Sequence, residues 1–306
     1  MPFSLPIRVI SQWLLLFQRI FMFILTGKSM LERIIANRTI SFPLRVYQIK
    51  NSINFTSSKS LDYEINQTKI DKNKSLIHDQ LYTVIHKLEL YQKLISQIDE
   101  IRKTQVTSTD AEHLDLFEKI WSRLVTQSND DHEPMRTISK RWTKIGFQGP
   151  NPLTDFRVNI YTSKTIISNP RSARMGVLGL QSIEYLSRDE STCLTYVNIR
   201  PPNDYSFAIG VINAVSWLVA LLEIESSKND ITHPLLTYFS VHPCNVNEFF
   251  RLFSFVFNEW HQFWIDQKAD IMQFEQLSKR FRAQMLVECQ QGRPLQQGFS
   301  KRIPKQ

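Results

Sequence analysis

Glycine is scarce in this chain, eight among 306 residues, and cysteine scarcer still, with three. So few glycines, with few alternating apolar runs, argue against a sheet-rich fold. Cys193, Cys244 and Cys289 lie far apart and form neither a CxxC pair nor an even disulfide framework. That usage favours a reducing compartment. The histidines do not group with Cys or carboxylates at ligand spacing, and His242-Pro243-Cys244 is too short and too isolated for zinc. No GxSxG, HExxH or paired-carboxylate context occurs. Gly27-Lys28-Ser29 imitates the end of a phosphate-binding loop, but Met22 stands where its first glycine belongs. These absences speak against an autonomous active site; no metal, cofactor or nucleotide is expected to bind.

What is present is apolar and basic. A 42% apolar content suffices for a real core, and the net charge is +8. Such a charge suits an acidic partner surface, a membrane face or nucleic acid. No stripe of Lys/Arg interleaves with aromatics, which makes nucleic acid the weakest of the three. Residues 7–25 are the most apolar stretch, interrupted by Arg8, Gln12, Gln18 and Arg19. A spanning helix wants roughly 20 apolar residues with few charges. The stretch therefore reads first as a hydrophobic N-terminal helix on or in a membrane surface. A signal peptide and a helix packed on the domain remain as alternatives. Sequons at Asn37, Asn54, Asn66 and Asn73 would matter only in a secreted chain. An intracellular protein is expected, cytoplasmic or membrane-associated, with endomembrane and mitochondrial surfaces both open.

The rest of the chain reads as all-α. Residues 1–36 form the membrane-associating segment, 37–75 a polar linker, 76–292 a helical domain and 293–306 a basic flexible tail. From Leu76, the residues Ile77, Leu81, Val84, Leu88, Tyr91, Ile95 and Ile98 make an a/d stripe, better laid against the domain than used between chains. Thr109 or Asp110 caps a helix whose inner face is Leu114, Phe117, Ile120, Trp121 and Leu124. Another helix starts at Met175. The uncharged run 205–222 has the length of a membrane span, but Ser206, Gly210, Asn213 and Ser216 mark it as a buried core helix. Asn245 or Asn247 caps an aromatic helix running from Phe249 to Trp264, and Ile271, Phe274, Leu277, Phe281 and Met285 line a final one.

Between these helices lies Trp142–Arg157, WTKIGFQGPNPLTDFR. Ser139 caps a short helix carrying Trp142, and Gly146 ends it in the left-handed conformation. Pro150 and Pro152 then forbid a regular element. The result is a stiff loop presenting Gln148, Asp155 and Arg157. On spacing alone, a packed connector with Asp155 and Arg157 paired is the plainer reading.

That stretch resembles the central motif of the ELMO (engulfment and cell motility) domain, W-x-x-I-G-F-Q-G-x-x-P-x-T-D-F-R. Further matches follow in order: Met175-Gly176-Val177-Leu178-Gly179-Leu180, Tyr205-Ser206-Phe207-Ala208-Ile209 with Asn213, and Glu259-Trp260-His261-Gln262-Phe263-Trp264. Upstream, Leu25-Thr26-Gly27-Lys28 and Leu31-Glu32-Arg33-Ile34 resemble the start of the small ELMO domain-containing proteins. The resemblance implies a single multi-helix ELMO-type domain that activates GTP hydrolysis by Arf or Arf-like small GTPases in their GTP-bound form. It implies that the motif arginine, Arg157, is the finger inserted in trans. Trp142 and Phe156 would stiffen its base, Asp155 would orient the guanidinium, and Gln148 would bond it or the partner; Gln148 facing the core is the plainer alternative.

One stretch departs from the pattern. The family's motif arginine is followed by one small residue and then Met-Gly. Here residues 158–174 intervene. They read either as a surface loop or as an unspliced short intron, since 17 codons keep frame and Val158 requires a GT codon. The insertion leaves Arg174 as the alternate finger, because it keeps the Met-Gly context. The resemblance also admits a non-catalytic module, since larger ELMO-domain proteins serve as scaffolds in Rac activation with Dock exchange factors, or a membrane tether.

Overall fold

The computed structural model describes residues 30–37, 42, 45–46, 48–49, 75–126, 134–156, 175–199, 201, 203–223, 235–290, 295 and 298–303. The apolar stretch 7–25, the insertion 158–174, Arg157 and Arg174 lie outside the described residues. Among those described, every regular element is a helix. No described helix is long and apolar enough to cross a membrane.

The chain divides into two compact units, Met1–Gln92 and Lys93–Gln306. In the first, helix α1 (Met30–Ala36) buries Leu31 and Ile34 of the upstream motif, and Ile35 beside them. Val46 and Ile49, in the stretch expected to be a polar linker, are helical and fully buried. Their spacing of three puts both on one helical face, a signal too short to register in a polar stretch. Helix α2 (Ser75–Lys103) begins in this unit. Its stripe, Leu81, Val84, Leu88, Tyr91 and Ile98, is buried within the single chain. Ile85 and Leu94 are buried as well, while Ile95 is half-buried, because a 3.6-residue turn drifts off a strict heptad.

The second unit holds the central and downstream motifs and is built on buried aromatic faces. Helix α3 (Ala111–Ile120) is capped by Asp110, whose Oδ1 accepts from the Glu112 and His113 N–H groups at 2.9 and 3.3 Å. It continues as a π-turn, Trp121–Val125. Leu114, expected on its inner face, is only half-buried, and His113 is buried in its stead. Helix α3 packs on α4 (Gly176–Ser187), which packs on α6 (Phe207–Glu223), with the short α5 (Glu190–Val197) beside α4. Helix α6 is the uncharged run, buried along nearly its whole length. Asn213 meets its hydrogen-bonding need inside the helix, donating Nδ2–H to the Ile209 carbonyl at 2.8 Å.

After α7 (Leu236–Val241), α8 (Val246–Asp266) is capped by Asn245 and carries the aromatic core. Its Trp260 is fully buried, with Trp217 at 5.2 Å and Phe281 at 5.4 Å between ring centroids. Edge-on ring pairs of this kind contribute about 0.5–1.5 kcal/mol each beyond their burial. Helix α9 (Phe274–Gln290) buries Leu277, Phe281 and Met285. Ile271, expected on that face, is 51% exposed because it sits in the preceding 3-10 turn, whose three-residue period rotates it off the stripe. Cys193 and Cys289 are buried thiols whose pKa burial pushes up to about 12, so they pack as small apolar residues.

The expected flexible tail is pinned at 298–303. Leu295, Phe299 and Ile303, four residues apart, are buried. The buried Glu259 carboxylate accepts from the Gly298 N–H at 2.8 Å and the Ser300 hydroxyl at 2.7 Å. Arg302 grips the fully buried Glu288 with both arms, at 3.0 and 2.7 Å. Buried carboxylates require such partners, and the basic strap supplies them.

Candidate functional site

The central stretch is built as a bracket. Ser139 caps the 3-10 turn Lys140–Ile145, accepting from the Arg141 N–H at 3.2 Å. Gly146 ends it at φ 90°, the left-handed region that favours glycine. A Cβ there would also lie 2.4 Å from the Phe207 backbone nitrogen, so the loop is pressed against the start of α6.

Five rings hold its base. Trp142 is fully buried and stands edge-on to Trp121 at 5.0 Å, Phe147 at 5.6 Å and Phe117 at 5.7 Å. Phe156, also fully buried, meets Phe147 at 5.6 Å and Phe117 at 6.0 Å. Phe117 and Trp121 come from α3 and its π-turn, and their helical spacing of four was the available signal for this floor. The Trp142 indole donates to the Arg136 carbonyl at 2.9 Å, fixing the chain before the turn.

Hydrogen bonds then close the loop on itself. The Ser139 N–H donates to the Pro150 carbonyl at 2.8 Å. The Asp155 carboxylate, 5% exposed, accepts the Gln148 N–H through Oδ2 at 2.9 Å. Asn151 Oδ1 accepts from the Leu153 N–H at 3.1 Å and opens the 3-10 turn Pro152–Phe156. Gln148 itself is exposed, so the core-facing alternative for its side chain does not hold. Thus Trp142, Gln148, Asp155 and Phe156 come together in one bracket, and Arg157 is the next residue along the chain from the buried Phe156.

The described residues flanking 157–174 meet at one point. A Cβ on Gly179 would lie 3.2 Å from Phe156 Cδ1 and 3.3 Å from Met175 Cβ. The motif's Met-Gly is itself clamped. Gly176 has φ +48°, and a Cβ there would fall 2.4 Å from the Thr104 carbonyl oxygen. Val177 donates to that same oxygen at 3.0 Å, so the start of α4 caps the end of α2.

A polar tie that the sequence does not reveal joins α4 to the π-turn. Glu184 is buried and accepts from Arg123 at 3.0 Å and Arg188 at 2.8 Å. Burial alone would raise its pKa, but the hydrogen bonds and charges of Arg188 and Arg123 outweigh it and hold the carboxyl below its ordinary range. A helical stripe reading counts Glu184 as surface, and only the fold brings Arg123 to it.

Among the described residues no group of His, Cys, Asp and Glu could hold a metal ion. The His261 imidazole is buried, bonded to the Tyr205 hydroxyl at 3.2 Å, and desolvation lowers its pKa to about 4. It is a neutral core residue rather than an acid or base.

An all-helical domain organised around this Trp-Gly-Gln-Asp bracket defines the class. Residues 96–278 match the model of the ELMO/CED-12 family, and the chain belongs to that family. It is 26% identical to mouse ELMO domain-containing protein 2 over 288 residues, covering 87% of this chain and 89% of that protein. It is equally 26% identical to mouse ELMO domain-containing protein 1, over 87% of this chain and 85% of the relative. ELMO domain-containing protein B of Dictyostelium discoideum is 26% identical over 84% of this chain and 88% of its own. No solved structure matches the chain.

Proposed function

We propose that this protein activates GTP hydrolysis by Arf or Arf-like small GTPases, with Arg157 as the arginine supplied in trans. The observation that carries the reading is the bracket ending at Phe156. A buried ring, an internally bonded carboxylate and a left-handed glycine fix the backbone immediately before the arginine. A slow GTPase lacks positive charge against the oxygens that gain negative charge in the transition state. An arginine from a partner provides it and raises the rate by about 10³–10⁵. Arginine suits the task because its planar fork donates to two oxygens and stays protonated. A pre-organised base keeps the cost of ordering it low. Asp155 holds the loop that carries Gln148, and in this reading Gln148 bonds the finger or the partner's switch region. The chain is then an activator of another protein's reaction, without an active site of its own.

The convergence of Phe156 and Met175 on Gly179 supports a second part of the reading. A short link between Arg157 and Met175 suffices for the fold, so 158–174 is dispensable for it. Residues 7–25 serve as the membrane contact, which brings the activator to membrane-bound GTPases.

The test is single-turnover GTP hydrolysis by a panel of Arf and Arf-like GTPases, with the full chain and with 158–174 deleted. Stimulation that disappears in Arg157→Lys supports the finger. Stimulation retained in Arg157→Lys but lost in Arg174→Lys moves the role to Arg174. No stimulation by either folded form leaves a non-catalytic interaction module. Carbonate extraction with and without residues 1–27 tests the membrane contact; equal release of both forms would refute it.

A further inference from the structure

The bracket has an outer face whose residues contribute little to the fold. From Pro134 to Thr154 the chain carries four cations, Arg136, Lys140, Arg141 and Lys144, and no carboxylate. Lys140 and Lys144 are exposed on the capped turn and form no ion pair among the described residues. Ile138 beside them is 64% exposed, a large apolar side chain held in water on a turn fixed at both ends. The bond from the Ser139 N–H to the Pro150 carbonyl brings this basic turn against Gly149 and Pro150, so turn and loop form one surface. Next to it, Ser108, Leu114, Phe117, Thr137, Pro152 and Leu153 line a cleft too narrow to admit a water.

Gly149 is the most informative residue here. Its φ is not in the left-handed region, and a Cβ would meet nothing within 4 Å. Gly146, three residues earlier, is required twice over by its own fold. Nothing inside the described protein requires a glycine at 149. A glycine with no internal reason, half-buried between the exposed Gln148 and Pro150 on a stiff loop, is what lets another backbone approach closely.

We infer that Ile138, Lys140, Lys144 and Gly149 form the docking face for an acidic protein surface on the GTP-bound GTPase, with Gly149 at the point of closest approach. This rests on the activator reading, since the same bracket leads into Arg157. The partner's contact face should carry carboxylates around a small apolar spot that receives Ile138. Charge of this kind steers encounter and sets orientation, and salt weakens it.

The experiment measures affinity of the full chain for Arf GTPases loaded with a non-hydrolysable GTP analogue, at about 50 and about 200 mM salt. Lys140→Glu with Lys144→Glu should weaken binding by about tenfold or more at low salt and flatten the salt dependence. Gly149→Leu should weaken binding comparably yet keep the wild-type salt dependence, because it adds bulk and no charge. Both should melt with the wild type, and Lys140→Arg with Lys144→Arg should bind normally. Arg157→Lys should bind like the wild type, which separates the two claims: if it also stimulates fully, the finger fails and the face stands. The inference is overturned if the charge-reversed and Gly149→Leu proteins, both folded, bind unchanged, or if no GTPase in the panel binds the wild type. It is also overturned if charge reversal impairs only sedimentation with phosphatidylserine vesicles, which would make the face a membrane contact.

Discussion

Two segments without long helices are pinned to the helical body, the central bracket and the strap at 298–303, and they use the same three devices differently. Each has a left-handed glycine, a fully buried phenylalanine and a buried carboxylate that accepts backbone N–H. In the bracket the carboxylate is its own Asp155, and its glycine has a backbone nitrogen 2.4 Å from where a Cβ would stand. In the strap the carboxylate is Glu259 on α8, and a Cβ on Gly298 would meet only the end of Lys301, at 3.8 Å. The bracket's carboxylate closes the loop on itself while its glycine and rings press on α6 and α3; the strap takes its carboxylate from α8, and no backbone crowds its glycine. A loop both bonded to itself and crowded from outside keeps one shape up to its last residue, as a residue offered to a partner needs; a strap needs only to close a core.

The contrast can be broken at several points, taken from the largest expected effect. Phe156→Ala should cost about 3–5 kcal/mol of stability, as truncation of a buried ring generally does, and should remove GTPase stimulation. Phe299→Ala should cost stability on the same scale while the folded fraction keeps its stimulation; denaturant melts paired with single-turnover assays separate the two. Gly146→Ala should cost roughly 2–5 kcal/mol, from left-handed strain and overpacking together, against about 1 kcal/mol for Gly298→Ala. Equal losses at the two glycines would erase the distinction.

The body beneath both segments supplies a pH test. His261 has a folded pKa of about 4 against 6.5 unfolded, so the unfolded chain binds the extra proton between those values. Stability should be complete above about pH 6.5 and fall by up to about 3 kcal/mol as pH drops toward 4. Denaturant midpoints across that range should show the slope in the wild type and a shallower one in His261→Gln. Asp155→Ala leaves the Gln148 N–H without its carboxylate acceptor, at about 1–3 kcal/mol. Here activity should fall further than stability, because the loop loosens next to Arg157.

Much of this was legible in the chain. Asp110, Ser139, Gly146 and Asn245 act at helix ends as their types and positions predict, because caps are local chemistry. The aromatic faces of α3, α6 and α8 follow from helical spacing. The strap did not show, since Lys301 and Arg302 mask the four-residue repeat of Leu295, Phe299 and Ile303. The Glu184 tie and the opposed Phe156 and Met175 were illegible for a different reason: they join residues 61 and 19 positions apart that only the packing brings together. Of the site, Trp142, Phe156 and Asp155 were read as neighbours from the motif. What Asp155 holds, the Gln148 N–H, came from the fold.

An arginine finger acts on charge in a transition state, so binding to a mimic of that state reads out its contribution. The affinity of wild type and Arg157→Ala should be compared for an Arf GTPase carrying GDP with aluminium fluoride and carrying a non-hydrolysable GTP analogue. The wild type should prefer the GDP–aluminium fluoride form, and Arg157→Ala should lose that preference while still binding the GTP form. Equal preference in the two proteins would contradict it.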